Sequence, residues 1–168
     1  AVLIRQFAQH GLHPHNEAAG DHRPALVAQG VAEHHFRCAE RAGGDSGYEQ
    51  SLNGRWKFHY AKGPAATIPG FHEIEFDVAG WDDIPVPAHI QLQGYGRPQY
   101  VNVQYPWDGH EQVEPGQVPE RFNPVASYVR EFELDRPLAD GERLSLCFHG
   151  AESAVALWLN GTYIGYGT

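Results

Sequence analysis

From residue 51 onward, no stretch of the chain holds a sustained helical period, while short alternating runs recur between turn formers. Residues 56–60 put Trp56, Phe58 and Tyr60 on one side and Lys57 and His59 on the other, after the turn signal Asn53-Gly54. A second run follows Pro69-Gly70 over residues 71–78. A third, residues 82–86, ends at Pro87. Residues 100–105 alternate again until Pro106. Residues 107–124 read as a long loop, broken by Gly109, Pro115, Gly116, Pro119 and Pro124. Residues 127–134 set Tyr128, Arg130, Phe132 and Leu134 against Val129, Glu131 and Glu133. Residues 143–149 and 153–159 continue the pattern, and Asn160-Gly161 turns the chain into residues 162–166. Seven or eight short strands with 19 Gly and 12 Pro predict an all-β sandwich or jelly roll.

The first fifty residues differ. They carry His10, His13, His15, His22, His34 and His35, many Ala and Gly, and weak periodicity. They are expected to form an irregular N-terminal arm over residues 1–50, ahead of a sandwich over residues 51–168. The best helix candidate within the arm is residues 31–41, stopped by Gly43-Gly44. His13 and His15 share a side of an extended chain, but no carboxylate or cysteine cluster completes a metal site. The chain stops soon after a hairpin strand and holds no Met, so the sandwich is expected to be a C-terminally incomplete piece of a longer polypeptide.

Charge narrows the partners. Lys and Arg total 12 against 21 Asp and Glu, a net charge of −9. Nucleic acid and anionic membranes both require concentrated positive charge, so neither is expected as a partner. No apolar run approaches the roughly 20 residues of a membrane helix. Cys38 and Cys147 lie far apart and form no metal-binding pair; two free thiols in a cytoplasmic protein are expected, with a disulfide as the alternative.

The chain carries no nucleophile elbow, no zinc-protease motif, no phosphate loop and no dinucleotide fingerprint. Asp82-Asp83 and Glu111 with Glu114 are carboxylate pairs, and glycoside hydrolysis needs two carboxyls about 5–10 Å apart. Spacing in sequence does not establish that geometry, and loop carboxylates are usually solvated. No catalytic residue is therefore assigned within the chain.

Five colinear blocks carry a family resemblance. They are Ser51-Leu52-Asn53-Gly54-Arg55-Trp56-Lys57-Phe58, then Trp81 through Pro87, then Gly94-Tyr95 through Tyr105-Pro106, then Asn123-Pro124 with Tyr128 and Arg130, and finally Trp158-Leu159-Asn160-Gly161 through Gly165-Tyr166. In order and content they resemble the N-terminal sugar-binding domain of family 2 glycoside hydrolases, and the third block resembles that of bacterial β-galactosidases. The resemblance spans residues 34–168. It implies a galactose-binding-like jelly roll that precedes an immunoglobulin-like domain and a catalytic barrel, neither of which is in this chain. The resemblance implies that the family's catalytic glutamates lie outside this chain, and that the ligands of its magnesium and sodium lie mostly outside it.

The resemblance carries one sugar contact onto Asn102, with Val103 lining the same edge of the pocket. An amide offers two donors and one acceptor to adjacent sugar hydroxyls, and Pro98 and Pro106 restrict the backbone on either side. The alternative is that Asn102 is a turn or strand-edge residue bonded to its own backbone. Trp56, Trp81 and Trp158 are expected in the core, while Tyr105 and Trp107 divide evenly between core and surface. His89 and His110 receive no role, and Arg121 and Arg130 are candidates for ion pairs between domains. The implied partners are a β-galactoside, the remaining domains of the same enzyme and further copies of itself. A free-standing carbohydrate-binding module and a structural complementing fragment without sugar affinity remain the alternatives.

Overall fold

The computed structural model describes the backbone of residues 2–9 and, in full, residues 50–98, 105–141, 145–151 and 154–167. It is all-β, with two short 3-10 turns at Pro64–Ala66 and Ile90–Gln93. Six strands form one antiparallel sheet: β1 Val2–Gln9, β2 Gly54–Ala61, β3 Asp82–Val86, β4 Val125–Phe132, β5 Ala154–Leu159 and β6 Thr162–Gly167. Their order is β3-β2-β4-β1-β5-β6. The antiparallel all-β architecture matches the expectation of a β-sandwich.

Alternation along the strands decides which side chains meet. Trp56 pairs with Ile84, and Phe58 pairs with Tyr128. Both pairs face a core of Trp56, Phe58, Ile84, Ile90 and Ala126, against which Leu52, Tyr95, Phe132, Leu146 and Leu157 pack. The Phe58 ring meets Tyr95 and Tyr128 edge-on, at centroid distances of 4.6 and 4.9 Å. The opposite face carries a second cluster, in which Phe71 and Val129 are covered by Phe76, Val78, Trp81 and Trp158. The sheet is thus covered on both faces. Pro85 has no N–H to give a second neighbour, and β3 accordingly lies at the edge. Asn160 and Gly161 both take positive φ (47° and 77°), the geometry of a tight hairpin between β5 and β6.

Four expectations change. Residues 2–9 are no irregular arm: they form β1, paired with β4 on one side and β5 on the other. The start Val2-Leu3-Ile4 favours strand, and the His- and Gly-rich sequence behind it masked that signal. Residues 71–78 are turns rather than a strand. Their backbone bonds close locally, Glu73 N–H to the Gly70 carbonyl at 2.9 Å and Phe76 N–H to the Glu73 carbonyl at 3.2 Å. The alternation there slips phase, with Phe71 odd and Ile74, Phe76 and Val78 even. Residues 145–149 have no regular structure, although Leu146 still packs on the core. Cys147 is disulfide-bonded, against the expectation of free thiols, because separation along the sequence says nothing of proximity in a folded chain. The chain's other cysteine, Cys38, lies outside the described residues, as do the expected helix at 31–41, His13 and His15.

Candidate functional site

One end of the sheet gathers the loops. Ala61, the last residue of β2, pairs with Val125, the first of β4, and Val125 also pairs with Gln9. Gln9 pairs with Ala154, and Val155 with Gly167. The loop leaving β2, the long loop entering β4, the start of β5 and the end of β6 therefore share this end.

Two built anchors flank the segment that carries Asn102 and Val103. Those two residues lie outside the described residues, as do 99–104 throughout. The upstream anchor is Tyr95. Its ring packs on Phe58 and Tyr60, its N–H bonds the Ile90 carbonyl at 3.1 Å, and its hydroxyl donates to Asp82 Oδ2 at 2.7 Å. Burial, with the Asp82 hydrogen bond and charge, pushes the Tyr95 hydroxyl up to about 12, so it stays a donor at any physiological pH. Gly94 ends the 3-10 turn in the left-handed region (φ 94°) and so aims the chain back over Tyr60.

The downstream anchor is the turn at residues 105–108. Tyr105 N–H donates to Asp108 Oδ2 at 2.9 Å, and Asp108 N–H returns a bond to the Tyr105 carbonyl at 3.0 Å. The Tyr105 and Trp107 rings stack at 4.8 Å with planes 4° apart. His110 and Glu111 both give their N–H to the Trp107 carbonyl at 2.9 Å.

Glu111 closes the loop behind this turn. Its carboxylate accepts the backbone N–H groups of Glu120, Arg121 and Phe122, each at 2.9 Å. Three donors aimed at one carboxylate favour its charged form, and they hold Glu111 below the usual carboxylate range. The His110 ring stacks on Phe122 at 4.3 Å, bracing the same closure. Beyond it, Asn123 is 1% exposed and donates through Nδ2 to the Pro119 carbonyl at 3.1 Å. Gly63, at the end of β2, sits so near that a Cβ there would lie 2.5 Å from the Glu120 carbonyl oxygen.

A lowered folded-state pKa means that the Glu111 closure contributes above the carboxyl's ordinary value of 4.5 and is lost as pH falls through its lower folded value. Glu111→Gln is expected to speed amide hydrogen exchange at Glu120, Arg121 and Phe122 at neutral pH. Acidification of the wild-type chain through the folded value is expected to lower the protection of the same amides relative to their intrinsic exchange rate at each pH. Equal exchange in variant and wild type would show that the carboxylate does not hold the loop.

The remaining sequence candidates fall as follows. Asp82 is engaged by Tyr95, and Asp83 accepts from Lys57 Nζ at 3.2 Å, so both serve the edge of the sheet. Glu114 forms a small turn with Gln117. Trp56 is in the core, its indole N–H on the Leu52 carbonyl at 2.9 Å. Trp81 and Trp158 are partly buried over the second cluster. Trp158 also stacks on His72 at 5.4 Å and helps to line a cavity of about 350 Å³ with Phe71, His72, Ala156 and Tyr166. His89 precedes the second 3-10 turn. Arg130 gives Nη1 to the Arg55 carbonyl at 2.6 Å. Among the described residues no group of three His, Cys, Asp or Glu forms a metal cluster, and no helix is long and apolar enough to cross a membrane.

Residues 49–168 match the family model described as "Glycosyl hydrolases family 2, sugar binding domain". The chain belongs to this family. Among relatives of this sugar-binding domain, a "Beta-galactosidase" of Halalkalibacterium halodurans is 52% identical over 116 residues, covering 69% of this chain and 11% of the relative. A "Beta-galactosidase" of Streptococcus thermophilus is 46% identical over 123 residues, 73% of this chain and 12% of the relative. A "Beta-galactosidase large subunit" of Latilactobacillus sakei is 39% identical over 153 residues, 84% of this chain and 24% of the relative. The chain thus spans between 11% and 24% of these relatives' lengths. In this sugar-binding domain the Tyr95–Asp82 and Glu111 anchors escaped sequence reading. A carboxylate that accepts main-chain N–H groups ten positions away leaves no residue-type signature.

Proposed function

We propose that this chain is the sugar-binding part of a β-galactosidase that removes terminal β-D-galactose residues from lactose-like substrates. In this reading Asn102 hydrogen-bonds the galactosyl hydroxyls and Val103 lines the same edge of the pocket. What supports it is the pair of anchors that precede and follow this segment in the chain: Tyr95 is bonded to Asp82, and the 105–108 turn is closed by Asp108. A positioned polar group is what sugar recognition requires. The names of the relatives supply the substrate class.

The two carboxylates of a retaining glycosidase then lie in the catalytic barrel of the complete enzyme, with its magnesium and sodium. The chain alone is expected to leave an aryl β-galactoside intact. A cytoplasmic, homo-oligomeric enzyme is the setting we favour, in which the 107–124 loop makes domain or subunit contacts; the disulfide at Cys147 pulls toward an oxidising compartment instead.

The test is Asn102→Ala in the complete enzyme. About a tenfold loss in kcat/KM is expected, roughly 1.4 kcal/mol of transition-state binding. An unchanged kcat/KM would remove Asn102 from the site and leave a structural role for the segment.

A further inference from the structure

Large aromatic side chains are normally buried, so an exposed one held in a fixed geometry against a second ring calls for a use. Tyr105 is 63% exposed, and one face of its ring is backed by Trp107 in a nearly parallel stack. The pair is not loose. Both ends of the turn are tied by the reciprocal Tyr105–Asp108 bonds, and the Trp107 carbonyl receives two N–H groups from His110 and Glu111. Glu111 in turn is fixed by three main-chain donors. The outer face of the Tyr105 ring is therefore a rigid apolar plate presented to solvent, beside the carboxylate of Asp108.

Sugars bind such plates. The C–H face of a pyranose stacks on an aromatic ring, while hydroxyls at its rim find carboxylates and amides. Position gives a second reason. Tyr105 is three residues after Asn102, so their Cα atoms are within about 11 Å of each other whatever path residues 103 and 104 take. That is the span of two linked hexose rings.

We propose that the Tyr105–Trp107 stack is a second carbohydrate subsite, which takes the hexose joined to the galactosyl unit at its reducing side. It rests on the reading of Asn102 as the contact to the galactosyl unit. The stack selects the leaving group: a disaccharide places a ring on Tyr105, and a galactoside with a one-carbon aglycone does not.

The experiment compares lactose with methyl β-galactoside as substrates of the complete enzyme, in wild type, Tyr105→Ala, Tyr105→Phe and Asn102→Ala. Tyr105→Ala is expected to lower the lactose-to-methyl-galactoside ratio of kcat/KM about three- to tenfold, mainly through KM for lactose, the scale of one aromatic contact. Tyr105→Phe is expected to restore the ratio, because the plate and not the hydroxyl binds. Tyr105→Leu, apolar but without a ring, gives the same reading should alanine unsettle the turn. An unchanged ratio in both ringless variants overturns the proposal. An unchanged ratio with a lowered melting temperature overturns it too, and makes the stack a contact between domains. Asn102→Ala separates the two claims. If it lowers kcat/KM on both substrates while the Tyr105 variants leave the ratio alone, only the second subsite fails. If Asn102→Ala changes nothing while Tyr105→Ala shifts the ratio, the plate stands and the galactosyl contact lies elsewhere.

Discussion

Phe58→Ala is expected to cost about 3–5 kcal/mol of folding stability, enough to unfold much of a domain of ordinary marginal stability. Phe58 is 1% exposed and lies under both Tyr95 and Tyr128. Truncation removes the ring from the core and leaves Tyr95 and Tyr128 without their shared edge-on partner. The neighbours cannot collapse into the space, because Tyr128 is fixed by the β2–β4 register and Tyr95 by its bond to Asp82. The damage therefore reaches the site, since Tyr95 is the upstream anchor of the Asn102 segment. Urea unfolding followed by tryptophan fluorescence measures the loss. A change below about 1 kcal/mol would mean that this face of the sheet is less closely packed than the burial of Phe58 implies.

Gly63→Val is expected to destabilise by about 3 kcal/mol, at the upper end for overpacking, and to detach the long loop from the end of β2. Valine suits the backbone there, because Gly63 is extended with φ −164° and ψ 169°. The obstacle is space alone. The first added carbon would stand 2.5 Å from the Glu120 carbonyl oxygen, main chain that has no rotamer to turn aside. Glu120 is also one of the three donors to Glu111, so the push travels into the closure that supports the 105–108 turn. Thermal melting gives the stability term, and hydrogen exchange at residues 120–122 the local one. A variant that melts like wild type would show that the two segments part without cost.

The strands that were legible in the sequence are short runs of aromatic, β-branched and aliphatic residues closed by turn signals. Residues 56–60, 82–86, 127–134, 153–159 and 162–166 are such runs and correspond to β2 through β6. Residues 71–78 alternate only from Ile74 onward, with Phe71 out of phase, and local hydrogen bonds took over. The partners of residues 2–9, β4 and β5, lie more than a hundred positions away, and no local feature reports on them. At the site, the tryptophans expected in the core lie in or against it, and the long loop is a loop. What joins its two ends was hidden, because Glu111 binds backbone N–H groups and every residue but proline offers one. The stacking of Tyr105 on Trp107 was also beyond reach: adjacency in sequence suggests exposure, whereas parallel rings need the turn that Asp108 closes.

The position of β1 has a consequence for the order in which the fold assembles. It precedes the other strands of the described sheet, yet Ile4 pairs with Leu159 and Val2 with Phe132, so its partners follow it by more than a hundred positions. Until β4 and β5 emerge, residues 2–9 carry two open backbone edges and nothing native to pair with. Closing so long a loop is slow, and every contact that fixes β1 has a large separation along the chain. Without β1, moreover, nothing joins β3-β2-β4 to β5-β6 within the described sheet. The two blocks can each zip up through neighbouring strands. The described sheet as a whole waits for β1 to come between them.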